Sequence, residues 1–481
     1  MSDNLTIQKY DESYVKIRAE ASILHEISDH FTFAVPGAKF SPAYRNKVWD
    51  GKIRLLNVMT GLIYAGLIPY IENYAKERGY EIFYDGDFSD TEFSLKEASD
   101  FTKSLNLPYE VRDYQLESFV HSIRKCRTLL LSPTASGKSL IIYLIIRYYE
   151  AKTLLIVPTI SLVTQMASDF VEYGYTKKCH LITAGVTKNT EELVTISTWQ
   201  SIFKMPKSWF DQFDVVIGDE AHLFKAKSLV SIMGKMVDCK YRFGLTGTLD
   251  GTQTHALVLQ GLFGAVKKVV TTSELIEQKH LSTFNIKSIV LSYPDYIRKD
   301  ISKKKYQEEI DFIVTNEARN KFLKNLALSL DGNTLVLFQY VEKHGEVLYK
   351  MIKDAASSRN VYYVSGKVQG DDRERIRKIV ETETNAIIVA SSGVYSTGIN
   401  ITSLKNLIFS SPSKSRIKNL QSIGRVLRKN SNVDTATLYD IADDLSWKSN
   451  QNYTLQHFKE RIKLYSEEEF PNKIYNVSLK L

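Results

Sequence analysis

The chain has 481 residues, which is too long for one hydrophobic core and predicts two to four domains. Its 43% hydrophobic and 25% charged residues are typical of globular proteins, and no apolar run is long enough to span a membrane. The net charge of +8 permits a nucleic-acid partner without requiring one. Three separated cysteines and a polar N-terminus give no sign of disulfides or a signal peptide, so we expect a cytoplasmic protein.

Residues 1–85 have the pattern of a small N-terminal α/β accessory domain. A strand is predicted over residues 14–19 and a helix over residues 22–33. Residues 53–56 and 62–64 predict a β-hairpin around a turn, and a second helix is expected from residue 67 to residue 78.

Residues 39–54 of this domain interleave basic and aromatic side chains. Five positive residues stand against one negative residue, Asp50. The aromatic rings of Phe40 and Trp49 can stack on bases or fill a small core, and the sequence leaves both interpretations open. Lysine and arginine contacts to phosphate give affinity that does not depend on base sequence. We therefore predict nucleic-acid contacts at Arg45, Lys47, Trp49, Lys52 and Arg54.

Residues 86–107 are polar and acidic, which predicts a linker, and a first large domain is expected over residues 108–279. Gln115 lies near its start, at the beginning of a helical pattern. An amide side chain can bind both a donor and an acceptor of an adenine edge, although a solvent-facing glutamine is the simpler interpretation of this residue alone.

Residues 132–139, Ser-Pro-Thr-Ala-Ser-Gly-Lys-Ser, lie between apolar runs at 128–131 and 140–146. The order indicates a strand, a tight loop and a helix. In such a loop the backbone N–H groups favour an anion, the lysine reaches terminal phosphates and the serine hydroxyl can ligate Mg²⁺. Ser132 and Ala135 stand where such loops usually have glycine. The predicted nucleotide contacts are Thr134, Ser136, Gly137, Lys138 and Ser139.

Four later apolar runs each end in polar residues: 153–157, 194–198, 213–217 and 241–245. Buried runs separated by helical patterns predict a parallel sheet with helices on both faces. Ligands of such sheets bind at the carboxyl ends of the strands, which is where these polar residues lie.

Asp219 and Glu220 follow the third of these runs. An aspartate at a strand end can hold Mg²⁺, and the adjacent glutamate can orient and deprotonate the attacking water. His222 alone would be a structural histidine. Beside two acids, we predict that it connects the phosphate site with the second domain.

A second α/β pattern occupies residues 280–440 and has no Gly-Lys-Ser loop. It includes a helix predicted over residues 311–330. Near its end, Arg425 and Arg428 are three positions apart, on one face of a helix. They fit a clamp on the γ-phosphate supplied by a second domain, although a surface salt-bridge face is the alternative. Residues 441–481 are expected to be a packing extension.

Across residues 109–430 these motifs resemble, in order and spacing, those of superfamily 2 helicases of the DEAH type. Gln115 resembles the adenine-reading glutamine, residues 132–139 resemble the Walker A motif, and residues 219–222, Asp-Glu-Ala-His, resemble the DEAH box. Residues 245–248 resemble the coupling motif, and residues 393–400 and 421–428 resemble two motifs of the second domain.

The resemblance implies two tandem RecA-like parallel-sheet domains that use ATP and Mg²⁺. It implies catalytic roles for Lys138, Asp219, Glu220, Arg425 and Arg428, with Ser139 and Asp219 as metal ligands. The further residues that it implicates are Arg112 and Gly398 for the nucleotide, His222, Thr246, Thr248 and Gln421 for coupling, and Thr159, Thr198, Ser365 and Ser396 for the nucleic-acid strand.

Within the superfamily, residues 40–45 and 49–54 resemble stretches of phage recombination and repair helicases. This implies a monomer, in the host cytoplasm, that drives branch migration and remodels forks, Holliday junctions and R-loops, including RNA–DNA hybrids. The alternatives are an RNA helicase, a duplex-DNA translocase that does not separate strands, and a non-catalytic ATP-gated clamp. Glu220 and Arg428 disfavour the clamp, because neither is needed merely to bind nucleotide.

Overall fold

The computed structural model describes residues 4–35, 37–183, 185–223, 226–249, 253–368, 370–398, 401, 403–413, 422–424 and 435–479. The chain divides into two units, one formed by residues 1–132 and 137–270 and the other by residues 133–136 and 271–481. Within the described ranges, no helix combines the length and the apolar character that crossing a bilayer requires.

The first 85 residues form two small sheets with three helices. The strands are β1 (Asn4–Lys9), β2 (Tyr14–Arg18), β3 (Thr32–Ala34), β4 (Lys52–Arg54), β5 (Leu62–Tyr64) and β6 (Glu81–Asp85), and the helices are α1 (Ala21–His30), α2 (Pro42–Arg45) and α3 (Ile68–Arg78). The larger sheet has the order β5-β2-β1-β6, and β3 pairs with β4.

The hairpin predicted from residues 53–56 and 62–64 is formed only in part: a turn and one antiparallel bridge, between Asn57 and Leu62, connect the segments, but the strands have other partners. Arg54 of β4 pairs with Thr32 of β3, whereas Tyr64 of β5 pairs with Tyr14 of β2. The connection between β4 and β5 is longer than the two to five residues of common hairpin loops. The two strands therefore pair with separate partners.

The N-terminal segment shares one hydrophobic core with the first large sheet. Ile7 and Leu67 are fully buried in the same cluster as Phe210. Gly66 approaches so closely that a Cβ on it would lie 2.1 Å from the carbonyl oxygen of Gln260. The segment is therefore packed as an integral part of the first unit.

The first large sheet is parallel throughout and has the order β13-β7-β12-β11-β8-β10-β9. Its strands are β7 (Arg127–Leu131), β8 (Thr153–Val157), β9 (Cys179–Ile182), β10 (Val194–Thr198), β11 (Val215–Gly218), β12 (Tyr241–Thr246) and β13 (Val266–Lys268). The accompanying helices are α4 (Leu95–Ser104), α5 (Asp113–Lys125), α6 (Lys138–Tyr149), α7 (Ile160–Glu172), α8 (Trp199–Ile202), α9 (Lys207–Phe210), α10 (Ala226–Met233) and α11 (Gln253–Phe263). Helix α4 lies in the segment expected to be a linker.

The second large sheet is also parallel, with the order β16-β17-β15-β18-β19-β14-β20. Its strands are β14 (Thr283–Ser292), β15 (Asn333–Phe338), β16 (Val361–Val364), β17 (Ile387–Ser391), β18 (Leu404–Phe409), β19 (Thr435–Asp444) and β20 (Asn472–Ser478). The described helices are α12 (Thr272–Glu277), α13 (Asp295–Ile301), α14 (Tyr306–Thr315), α15 (Glu317–Ser329), α16 (Glu346–Ala355), α17 (Gly370–Thr382), α18 (Ser392–Gly398) and α19 (Tyr453–Glu467). The two parallel sheets and the N-terminal α/β region confirm the predicted fold class.

The single helix predicted over residues 311–330 is wrong, because Asn316 divides it into α14 and α15. Asn316 has an extended backbone, and its side chain accepts a hydrogen bond from the Arg319 N–H at 2.9 Å. Asparagine is among the preferred residues at a helix N-terminus, since its side chain satisfies a free N–H group there. The helical spacing of apolar residues continues across Asn316, so the sequence pattern did not indicate the cap.

Candidate nucleotide-binding site

Neighbouring strands of the first sheet bring the phosphate loop and the acid pair to one edge. The Ser132 N–H, after β7, donates to the Thr246 carbonyl at the end of β12, at 2.8 Å. The Asp219 N–H, after β11, donates to the Ile156 carbonyl of β8 at 2.9 Å. The polar segments therefore meet at the carboxyl ends of the strands, where ligands of such sheets bind.

The loop adopts a tight conformation despite its missing glycines. Ala135 has φ +67° and Gly137 has φ +80°, both in the left-handed region. That region costs a residue with a Cβ roughly 1–2 kcal/mol, and Ala135 adopts it all the same. At Gly137 a Cβ would lie 2.2 Å from Nε2 of Gln115, so a side chain there would displace Gln115.

Lys138 begins helix α6 and points back across the loop. Its ammonium donates to the Ser132 carbonyl at 3.2 Å and lies 3.5 Å from Oε1 of Glu220. Both contacts hold the lysine over the loop, where a terminal phosphate would compete for it.

Asp219 is 4% exposed, and its Oδ1 atom is buried with no hydrogen-bond partner among the described residues. Burial, followed by the charge of Glu220, raises the pKa of Asp219 to about 7. Burial acts in the same direction on Glu220, but Lys138 and His222 outweigh it and lower the pKa of Glu220. Buried polar atoms are rarely left unpaired, and a carboxylate oxygen of this kind suits a divalent cation.

His222 connects the acid pair with the segment after β12. Its Nδ1 is hydrogen-bonded to Oγ1 of Thr246, and the Thr246 hydroxyl donates to the Thr248 carbonyl at 2.8 Å. Because the threonine has only one hydroxyl hydrogen, the histidine must be the donor to Thr246. Its Nδ1 also lies 3.5 Å from Oε2 of Glu220, a charge contact rather than a hydrogen bond, so His222 is next to both Glu220 and Thr246.

Gln115 is 3% exposed and connects the start of α5 with the loop. Its Oε1 accepts the Arg112 N–H at 3.0 Å, while its Nε2 faces Gly137. The Arg112 guanidinium donates to the Tyr114 hydroxyl at 2.6 Å. The two predicted nucleotide residues thus lie together beside the loop.

The predicted strand-contacting residues differ in exposure. Thr159 caps α7, accepting the Leu162 N–H at 3.4 Å, and is partly exposed. The Thr198 side chain is 5% exposed and is hydrogen-bonded to the Ser201 hydroxyl.

In the second unit, Ser365 is fully buried. Helix α18 contains Ser396 and ends at Gly398. Asn400, Gln421, Arg425 and Arg428 lie outside the described residues.

The basic and aromatic residues of the N-terminal segment line an open groove of about 910 Å³. Phe40 is 73% exposed, so its ring does not fill a hydrophobic core. Trp49 is partly exposed, and its indole N–H donates to the Lys52 carbonyl at 2.8 Å. Arg54 pairs with Asp50 at 2.5 Å. This basic-aromatic surface comprises Lys39, Tyr44, Arg45, Lys47, Trp49 and Arg54.

Sequence reasoning missed Tyr173, which follows helix α7. Its hydroxyl lies 2.8 Å from Oγ of Ser139. It is one of 28 tyrosines and belongs to no motif, so nothing in the sequence marked it. Only the fold brings the end of α7 against the start of α6.

The two parallel sheets, the phosphate loop and the Asp-Glu-Ala-His segment define a superfamily 2 helicase. Residues 108–251 match the family described as type III restriction enzyme, res subunit, and residues 317–430 match the helicase conserved C-terminal domain.

The chain belongs to the UvsW family of helicases. Residues 4–85 match the family described as DNA helicase UvsW, N-terminal. The chain is 36% identical to the ATP-dependent DNA helicase uvsW of Enterobacteria phage T4, with 99% of this chain and 100% of that protein covered. The crystal structure of T4 UvsW is similar with a TM-score of 0.52 at 34% identity, again over 99% and 100% of the two chains.

A more distant relative is the DNA 3'-5' translocase XPB2 of Sulfurisphaera tokodaii. It is 25% identical, over 66% of this chain and 79% of that protein. This similarity covers 66% of the chain, whereas the similarity to UvsW covers 99% of it.

Proposed function

We propose that this ATP-dependent DNA helicase remodels branched DNA in recombination and repair, with forks, Holliday junctions and R-loops as substrates. The proposal rests on one observation: the nucleotide site and the exposed basic-aromatic surface belong to the same unit. Lys138, Asp219 and Glu220 lie at the edge of the first sheet, and the surface lies on the N-terminal segment that shares the core of that unit.

We propose that Mg²⁺ binds with ATP, held by the Ser139 hydroxyl and the Asp219 carboxylate. The Oδ1 atom of Asp219, which no described residue pairs, fits such a cation. When bound, the metal neutralises the charge that develops on the phosphates.

The chain's own residues have distinct tasks in this proposal. Lys138 exchanges the Ser132 carbonyl for a terminal phosphate oxygen. Glu220, whose lowered pKa keeps it ionised at neutral pH, orients the attacking water and accepts its proton. Arg425 and Arg428 would stabilise the transferring phosphoryl group, as arginine fingers do.

Coupling between hydrolysis and DNA is proposed to pass through His222. The imidazole lies between Glu220 and Thr246, so a change at the attacking water changes the hydrogen bonding of the segment from Thr246 to Thr248.

DNA binding is proposed to rest mainly on phosphate contacts from Arg45, Lys47, Lys52 and Arg54, with stacking on Trp49. Contacts of this kind tolerate any base sequence and suit a protein that recognises the shape of a junction.

The variant Lys138→Ala tests the ATP site. We expect ATP hydrolysis to fall to background, because the variant loses the cation that contacts the terminal phosphates, while binding to forked DNA persists. Steady-state hydrolysis and fluorescence anisotropy with labelled DNA measure the two properties. Near-normal turnover would overturn the assignment, and joint loss of both properties would indicate misfolding, which circular dichroism detects.

A further inference from the structure

The start of helix α6 is in contact with a residue that belongs to no nucleotide-binding motif. The hydroxyls of Ser139 and Tyr173 lie 2.8 Å apart. Ser139 is the loop residue that would ligate Mg²⁺, so its hydroxyl oxygen is engaged with a protein group where the metal is expected.

Tyr173 is held firmly in this position. Its backbone N–H donates to the Asp169 carbonyl at 2.9 Å, which closes the last turn of α7. Its ring packs against Tyr143, one helical turn after Ser139 on α6, with ring centroids 5.4 Å apart. The ring of Tyr109 meets it edge-on at 6.3 Å. The hydroxyl is therefore directed at Ser139 by packing on two sides.

The acidity of the two hydroxyls favours one direction of the hydrogen bond. A phenol is more acidic than an aliphatic alcohol, so Tyr173 is the better donor and the Ser139 oxygen the better acceptor. A cation on Ser139 Oγ withdraws electron density from the same oxygen and weakens its capacity to accept. The Tyr173 hydrogen bond and metal ligation therefore compete for one atom.

We propose that Tyr173 is a latch that holds Ser139 through this hydrogen bond and is released when ATP binds with Mg²⁺. The proposal rests on the nucleotide site described under the proposed function. It assigns Tyr173 a positioning role through Ser139, and it predicts that part of the binding free energy of Mg²⁺·ATP is used to break the latch.

The test is the variant Tyr173→Phe, which removes the hydroxyl and keeps the ring contacts with Tyr143 and Tyr109. The matched control is Tyr175→Phe, because the Tyr175 ring also packs against Tyr143, at 6.3 Å, and its hydroxyl has no hydrogen bond among the described residues. The full-length protein is titrated by calorimetry with a non-hydrolysable ATP analogue, once with Mg²⁺ and once with EDTA.

We expect Tyr173→Phe to bind the Mg²⁺ complex about two- to tenfold more tightly, as befits one lost hydrogen bond. Its affinity without Mg²⁺ should equal that of the wild type, and Tyr175→Phe should match the wild type in both titrations. Unchanged or weaker binding of the Mg²⁺ complex by Tyr173→Phe overturns the latch, as does an equal gain without metal. Failure of the wild-type protein to bind the analogue would instead overturn the nucleotide site itself.

Discussion

Two buried aspartates, Asp219 beside the first seven-stranded sheet and Asp440 in the second, are in opposite states. In the first unit, Asp219 has an oxygen with no partner in the described part of the chain, and burial together with Glu220 raises its pKa to about 7. In the second unit, Asp440 is fully buried and accepts two hydrogen bonds from Arg461, both at 2.8 Å, and one from the Tyr465 hydroxyl at 2.9 Å. Asp219 thus has an oxygen available to a ligand, whereas Asp440 is fully paired.

The comparison shows that a buried aspartate can serve function or stability in sheets of the same architecture. An incompletely paired buried carboxylate costs free energy and persists where a ligand uses it. A carboxylate paired with a buried arginine fixes one packing, and its loss leaves the arginine charge unpaired. Asp440 and Arg461 thereby attach α19 to β19, which integrates residues beyond 440 into the second unit.

Two matched variants, Asp219→Asn and Asp440→Asn, test this contrast with the largest expected effects. Asp219→Asn should lower ATP hydrolysis at least about 100-fold, because it removes a charge that the reacting phosphates require. It should not lower the free energy of unfolding at pH 8, since the ionised carboxylate is disfavoured where it is buried. Steady-state hydrolysis and chemical denaturation give the two values.

Asp440→Asn should do the reverse in the same assays. Leaving Arg461 unpaired should destabilise the second unit by about 3–5 kcal/mol, while the ATP site of the first unit keeps its geometry. If Asp219→Asn were the more destabilising of the two, or if Asp440→Asn unfolded no more easily than the wild type, the contrast between the two sheets would be refuted.

A smaller effect is expected at the basic-aromatic surface and the adjoining Lys52. Replacing Arg45, Lys47, Lys52 and Arg54 with alanine should weaken binding to forked DNA by about 10- to 100-fold and flatten its salt dependence, because phosphate contacts are lost. Basal ATP hydrolysis should remain, since the nucleotide site lies at the sheet edge. Anisotropy titrations at several salt concentrations measure the change.

The control for that variant is the pair Lys96→Ala and Lys103→Ala, two exposed lysines on α4 outside the surface. Equal loss of affinity in the control would mean that general positive charge, rather than this surface, binds DNA. Loss of basal hydrolysis in the quadruple variant would also count against a separate DNA-binding role.

Local patterns predicted the sheets and the placement of motifs at strand ends well. The apolar run before Asp219 and the run before residue 132 are both strands, because continuous burial leaves a strong signal in a parallel sheet. The order of the strands in space places Lys138 and Glu220 3.5 Å apart, as the motif order led us to expect.

Features that depend on contacts distant in sequence were not predictable. The pairing of β4 with β3 depends on a core that includes residues of the first large sheet. The cap at Asn316 interrupts a pattern that remains helical on both sides. Tyr173 contacts Ser139, which is 34 positions away in the sequence, through one hydroxyl group. Neither the composition nor the spacing of apolar residues indicates such a contact.

The most direct test of the central claim is ATP hydrolysis by the wild-type protein, titrated against single-stranded, duplex, forked and four-way DNA, with RNA as a control. We predict that forked and four-way DNA stimulate hydrolysis more strongly than the single strand or the linear duplex, and that the strands of the branched substrates separate or migrate. Stimulation by RNA alone would contradict the account in favour of an RNA helicase. Stimulation by duplex DNA without strand separation would indicate a translocase, and the absence of hydrolysis with every substrate would indicate a clamp.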